Sequence, residues 1–142
     1  MAIYKINNLE DLKKLASSLF KKLKAGDVVA LSGELGAGKT TLVQMLAKEF
    51  GIKETVQSPS FNIFKIYPVQ SRHTSGVKNF CHVDLYRLKE FDENIGFEEY
   101  ILSQDSICFI EWAEKIKKSL PKNTIWVKIE IKEGDKREIE IK

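Results

Sequence analysis

The chain is poor in the features that mark secreted, membrane or disulfide-stapled proteins. It has two cysteines and three prolines in 142 residues. Cys81 and Cys108 both lie inside apolar runs, which reads as buried free thiols in a reducing compartment rather than a disulfide or a metal site. No apolar run approaches the ~20 residues of a membrane span. The N-terminal MAIYKINNLEDLKK has no apolar centre of a secretion signal. The expected location is therefore cytoplasmic, with no membrane contact. There is no surplus of charge: 23 basic residues oppose 20 acidic ones, for a formal +3. This permits contact with nucleic acid but does not argue for it, because no Lys/Arg cluster stands apart from acidic neighbours. Repeats and low-complexity segments are absent. The length suggests one domain, residues 1–142, around one core.

What is present is an alternation of strand and helix patterns. Residues 2–6 suit a short strand. Asn8 suits the N-cap of a helix with apolar residues at Leu9, Leu12, Leu15, Ala16, Leu19 and Leu23. After a turn at residues 24–27, residues 28–31 are apolar on both faces, as a central strand requires. A helix is expected over residues 39–50, with Gly51 at its C′ position. Strands are expected over residues 61–67 and 79–84, joined by a polar connection, residues 68–78, too long for a tight hairpin. A helix over residues 92–102 is weakened by Gly96. Residues 107–110 form a second fully apolar strand, and a short helix over 111–120 follows. Ile125, Val127, Ile129 and Ile131 alternate onto one strand face, and Glu133-Gly134-Asp135 turns into a last strand holding Ile139 and Ile141. The pattern predicts a three-layer α/β domain with a mixed parallel and antiparallel sheet.

The sequence GELGAGKTTL, residues 33–42, carries the chemistry. Gly33-x-x-x-x-Gly38-Lys39-Thr40 matches the P-loop pattern in full. Gly36, Ala37 and Gly38 bring backbone N–H groups toward a phosphate, and the helix N-terminus at Lys39, Thr40 and Thr41 adds more. Lys39 reaches the terminal phosphates, and the Thr40 hydroxyl is a Mg²⁺ ligand. The plain alternative is a glycine turn before an ordinary helix, but a buried strand before and a helix after favour a nucleotide site.

Hydrolysis needs more than a phosphate cradle. Glu111 follows the apolar strand, where the C-terminal ends of parallel strands face the ligand crevice. It is a candidate metal ligand, or else a first-turn helix acid. Asp84 ends another strand, in CHVDLYRL. Alternation sets His82 and Asp84 on one face and Cys81 and Val83 on the other. Asp84 is a candidate to orient or deprotonate water, or half of a solvated pair on an edge strand. His82 reads as a structural hydrogen-bonder. Ser60, in QSPS, either senses a terminal phosphate or caps a turn. Trp112 either stacks near the site or packs.

Together GELGAGKTT, SPSF, HVDLYRL and FIEW, in this order, resemble the TsaE (YjeE) family, across roughly residues 5–141. The resemblance implies a P-loop ATPase that acts in bacterial threonylcarbamoyladenosine (t6A) synthesis on tRNA. It implies ATP and Mg²⁺ as cofactors, with Thr40 and Glu111 at the metal and Asp84 needed for hydrolysis. It places Ser60 in a switch-like segment and Trp112 beside the metal-site glutamate, and aligns Arg137 with a residue near the adenine. Its implied partners are TsaD and TsaB homologues, a complex that ATP hydrolysis resets between turnovers, with tRNA engaged indirectly through that complex. Two departures stand out. Residues 68–78 are longer than the family's usual connection, and Ser60 replaces a frequent threonine.

The alternative is a small-molecule kinase of P-loop type. It needs an acceptor pocket and an arginine-bearing lid, and the chain has only Arg72, Arg87 and Arg137. A GTPase ranks last, because no N-K-x-D sequence for guanine is present.

Overall fold

The apolar residues of Val28–Ser32 form the middle strand of the molecule, and their first four side chains are almost wholly shielded from solvent. The computed structural model describes residues 1–57, 63–70, 76–87 and 98–142. In chain order the elements are β1 (Ala2–Ile6), α1 (Leu9–Lys22), β2 (Val28–Ser32), α2 (Lys39–Glu49), β3 (Phe64–Pro68), β4 (Asn79–Asp84), α3 (Glu98–Ile101), β5 (Ser106–Glu111), a 3-10 segment (Ala113–Ser119), β6 (Ile125–Ile131) and β7 (Arg137–Ile141).

One seven-stranded sheet results, in the order β1-β7-β6-β2-β5-β4-β3. The inner strands β6, β2, β5 and β4 run parallel, and β7, β1 and β3 pair antiparallel at the flanks. Alternation along each strand sends side chains to two faces. Val29, Leu31, Phe80, Ile107 and Phe109 join a core with α1 and α2. Val28, Ala30, Cys81, Val83, Cys108 and Ile110 join another with α3 and the 3-10 segment. This is the expected three-layer mixed-sheet architecture.

Local signals set the helix ends. Asn8 accepts from the Asp11 amide at 2.8 Å and caps α1, a contact worth about 1 kcal/mol. Gly51 (φ +80°) ends α2 in a Schellman motif, with Gly51 N–H donating to Lys48 O and Ile52 N–H to Ala47 O. The α2 N-terminus is the opposite case. Gly38 sits there at φ +112° with no side-chain cap, and the first turn holds no acidic residue. Its orphan N–H groups are left for something outside the helix.

Four expectations shift. Leu9 lies at the margin of the α1 stripe, in the first turn, and is 68% exposed rather than buried. Glu111 is the last residue of β5, not a first-turn helix acid, and the following turns are 3-10 with a break at Ile116. The third strand begins at Phe64; Phe61 and Asn62 lie outside the described residues. Of the helix expected over 92–102, only Glu98–Ile101 falls within them as helix.

Candidate nucleotide and metal site

Because β2, β5 and β4 are parallel, their C-terminal ends meet on one edge. Leu31 pairs with Glu111, and Glu111 with Asp84, so all three share a rung. The glycine loop leaves β2 directly above that rung. Its first glycine is sterically required: a Cβ on Gly33 would sit 2.5 Å from the Ile129 carbonyl of β6.

Lys39 folds back across the loop. Its Nζ donates to the carbonyls of Gly33 (2.5 Å) and Glu34 (3.1 Å). An ammonium has three donors, so one remains for a ligand. The Trp112 ring lies 4.1 Å from Nζ, a cation–π contact. Burial lowers the Lys39 pKa, and the carboxylates of Glu111, Glu114, Asp84 and Glu34 oppose that shift.

Thr40, one residue on, donates from Oγ1 toward both carboxylate oxygens of Glu111, each at 2.8 Å. Glu111 is itself buried. Its Oε2 accepts from His82 Nε2 at 2.6 Å. His82 has no solvent exposure, and its Nδ1 has no hydrogen-bond partner among the described residues. A chain from half-buried Thr40 through buried Glu111 to buried His82 therefore links the phosphate helix, β5 and β4. The hydroxyl and carboxylate are hard oxygen donors, the kind Mg²⁺ takes. Their 2.8 Å separation is close to the edge of an octahedron with Mg–O bonds of 2.0–2.1 Å, about 2.9 Å. Among the described residues no group of three His, Cys, Asp or Glu is placed to hold a metal. A Mg²⁺ held by these two residues would draw its remaining ligands from phosphate and water, as that ion usually does.

Asp84 is half-buried on β4, an inner strand, so the edge-strand alternative does not hold. Its Oδ1 accepts from the Tyr86 amide at 3.0 Å. Trp112 is the only non-glycine residue at positive φ among the described residues (φ +59°). That conformation costs about 1–3 kcal/mol and breaks the strand after Glu111, turning the indole over Lys39. Tyr86, not singled out in the sequence, packs on Trp112 with ring centroids 5.1 Å apart. Its position two residues past Asp84, beyond the same strand end, was the available signal.

Gly36 and Ala37 lie in the loop, Gly38 at the N-cap of α2 and Thr41 in its first turn. Ser60 lies outside the described residues. Arg137 lies against the phosphate loop: Nε donates to Ala37 O at 3.1 Å, and the guanidinium also reaches the carbonyls of Gly36, Gly134 and Lys136. No helix among the described residues is long and apolar enough to cross a membrane.

A glycine loop joining a parallel strand to an uncapped helix, with an acid on the neighbouring strand end, defines a P-loop NTPase fold. Residues 6–139 match the family described as "Threonylcarbamoyl adenosine biosynthesis protein TsaE". The chain belongs to the TsaE family. It is 38% identical over 132 residues to the tRNA threonylcarbamoyladenosine biosynthesis protein TsaE of Bacillus subtilis, covering 93% of this chain and 79% of that protein. To the protein of the same name from Rickettsia felis it is 40% identical over 137 residues, with 93% and 74% covered. The crystal structure of Bacillus subtilis YdiB superposes with a TM-score of 0.77 at 34% identity, over 97% of this chain and 82% of that one.

Proposed function

We propose that the chain binds Mg-ATP and hydrolyses it slowly, as an accessory ATPase of t6A modification of tRNA. On this reading, hydrolysis resets a TsaD–TsaB threonylcarbamoyl transferase complex, and tRNA is met indirectly through that complex. The observation that carries the nucleotide part is the contact of Thr40 Oγ1 with both Glu111 oxygens at 2.8 Å, beside an uncapped helix N-terminus. The pathway part rests on family membership.

Each residue then has a task. The loop amides of Gly36, Ala37 and Gly38 and the first-turn amides of Lys39, Thr40 and Thr41 hold phosphate oxygens. Lys39 adds a charge already aimed by two carbonyls. Thr40 and Glu111 are the protein oxygens for Mg²⁺, which neutralises charge on the phosphates. Asp84, one strand over from Glu111, orients the attacking water. Trp112 walls the Lys39 side of the site. Ser60 is the family's switch-segment hydroxyl.

The test is calorimetric titration of ATP and GTP into the protein and into its Lys39→Ala variant. ATP binding that weakens by about 10²-fold on loss of the charged contact supports the reading. ATP affinity that Lys39→Ala leaves unchanged refutes the assigned site. Phosphate transfer to a metabolite would instead support the kinase alternative.

A further inference from the structure

Arg137 opens β7, and its guanidinium joins two segments that the sequence keeps a hundred residues apart. On one side Nε donates to Ala37 O at 3.1 Å and Nη2 approaches Gly36 O at 3.5 Å. On the other, Nη1 donates to Gly134 O at 3.2 Å and Lys136 O at 3.0 Å, in the turn between β6 and β7. All four acceptors are backbone carbonyls. The fork of an arginine is suited to such planar, divided bonding.

The acceptor identity has a consequence for the phosphate loop. All peptides among the described residues are trans, and in a trans unit C=O and N–H point opposite ways. Drawing the Gly36 and Ala37 carbonyls toward Arg137 therefore turns the Ala37 and Gly38 amides away from it, toward the loop interior. The Ala37 amide is turned away from Arg137 and donates to Glu34 O at 3.1 Å, a turn bond that a phosphate oxygen would have to replace. Glycines at φ +81° (Gly36) and φ +112° (Gly38) flank this unit. Such residues move between conformations at little cost, so the loop needs an outside hold to keep its amides aimed.

We infer that Arg137 is a positioning residue: it clamps the phosphate loop to the β6–β7 turn and sets the loop's affinity for a polyphosphate, without touching the base. The inference rests on the nucleotide-site reading above and deepens it. It also makes the exposed turn at residues 132–136 a handle on the loop, since Gly134 and Lys136 share the clamp.

The test compares ATP with inorganic tripolyphosphate, which has no base, by titration calorimetry on the wild type, Arg137→Lys and Arg137→Ala. The clamp predicts a loss of about tenfold in Arg137→Ala, equal for both ligands. It predicts that Arg137→Lys, which keeps the charge but not the fork, remains nearly as weak. Circular dichroism establishes that each variant is folded, and Arg137→Lys carries the test if Arg137→Ala is not. A loss for ATP alone would make Arg137 a base contact and overturn the inference. Full recovery in Arg137→Lys would make it a simple charge and do the same, as would unchanged binding in both variants. Wild-type protein that binds neither ligand would remove the nucleotide site itself, and the clamp with it.

Discussion

His82 Nε2 lies 2.6 Å from Glu111 Oε2, while Thr40 Oγ1 lies 2.8 Å from the same oxygen. One carboxylate thus joins a fully buried imidazole to the hydroxyl at the head of the phosphate helix. The imidazole holds the carboxylate in the rotamer that meets Thr40. His82→Ala leaves that carboxylate short of a buried donor and opens a cavity, an expected loss of about 2–4 kcal/mol by urea denaturation. His82→Gln restores a donor at a similar reach. It should recover much of the Mg²⁺ affinity of the ATP-bound protein, measured by titration of the metal. Equal Mg²⁺ affinity in His82→Ala and wild type would show that the contact does not orient Glu111.

Glu111→Gln keeps size and hydrogen-bonding capacity but removes the charge. ATP binding in the absence of metal should survive. Mg-dependent hydrolysis should fall by on the order of 100-fold. Hydrolysis at the wild-type rate would take Glu111 out of the metal site. Asp84→Ala should likewise bind ATP and lose hydrolysis; a variant that binds and hydrolyses normally would exclude Asp84 from water positioning.

Burial holds the Lys39 pKa below its ordinary 10.5. A bound polyphosphate favours the charged amine and raises that pKa again. At alkaline pH, nucleotide binding should therefore take up protons, and affinity should fall as pH rises through the Lys39 pKa of the free protein. The same shift makes the unfolded chain the greater proton binder just below pH 10.5, so its contribution to ligand-free stability increases with pH in that window. Calorimetry in buffers of different ionisation enthalpy measures the uptake. Lys39→Arg, which does not titrate, should abolish it.

The two thiols carry a separate prediction. Cys81 and Cys108 are register partners on β4 and β5, and both are buried. The hydrogen bond with Cys108, then burial, pushes the Cys81 pKa up from 9.0. A raised thiol pKa stabilises the fold below the ordinary value, and that contribution is lost as pH climbs past it. Folded protein should resist thiol-specific reagents at mildly alkaline pH, and Cys81→Ala should flatten the fall of stability above pH 9.0. Rapid labelling of the native protein would contradict the buried placement.

The order of elements was legible because its signals are local. Residues 28–31 and 107–110 are apolar on both faces, and Asn8 and Gly51 are cap residues with defined backbone roles. The P-loop fixed the identities of Lys39 and Thr40 for the same reason: each spacing has a direct chemical purpose. The placement of Glu111 needed tertiary information. A glutamate after an apolar run suits either a strand end or a helix start, and only pairing with Leu31 and Asp84 decides. His82 showed its face by alternation but not its partner, which lies 29 positions away. Arg137 was the hardest to read. Its acceptors on the loop are backbone carbonyls, and no side-chain pattern announces such a contact.

The central claim is an ATPase gated by a partner complex. Its most direct test is steady-state Mg-ATP hydrolysis by the purified protein, alone and with the TsaD–TsaB pair of the same organism. Isolated P-loop switches turn over at about 10⁻⁴ to 10⁻² per second, and supplied groups accelerate them by up to roughly 10⁵. The account predicts a rate in that low range for the protein alone and at least a tenfold rise, on the order of 1.4 kcal/mol off the barrier, with the pair present. Turnover above about 1 per second without partners, or ATP binding with no response to the pair, would contradict it.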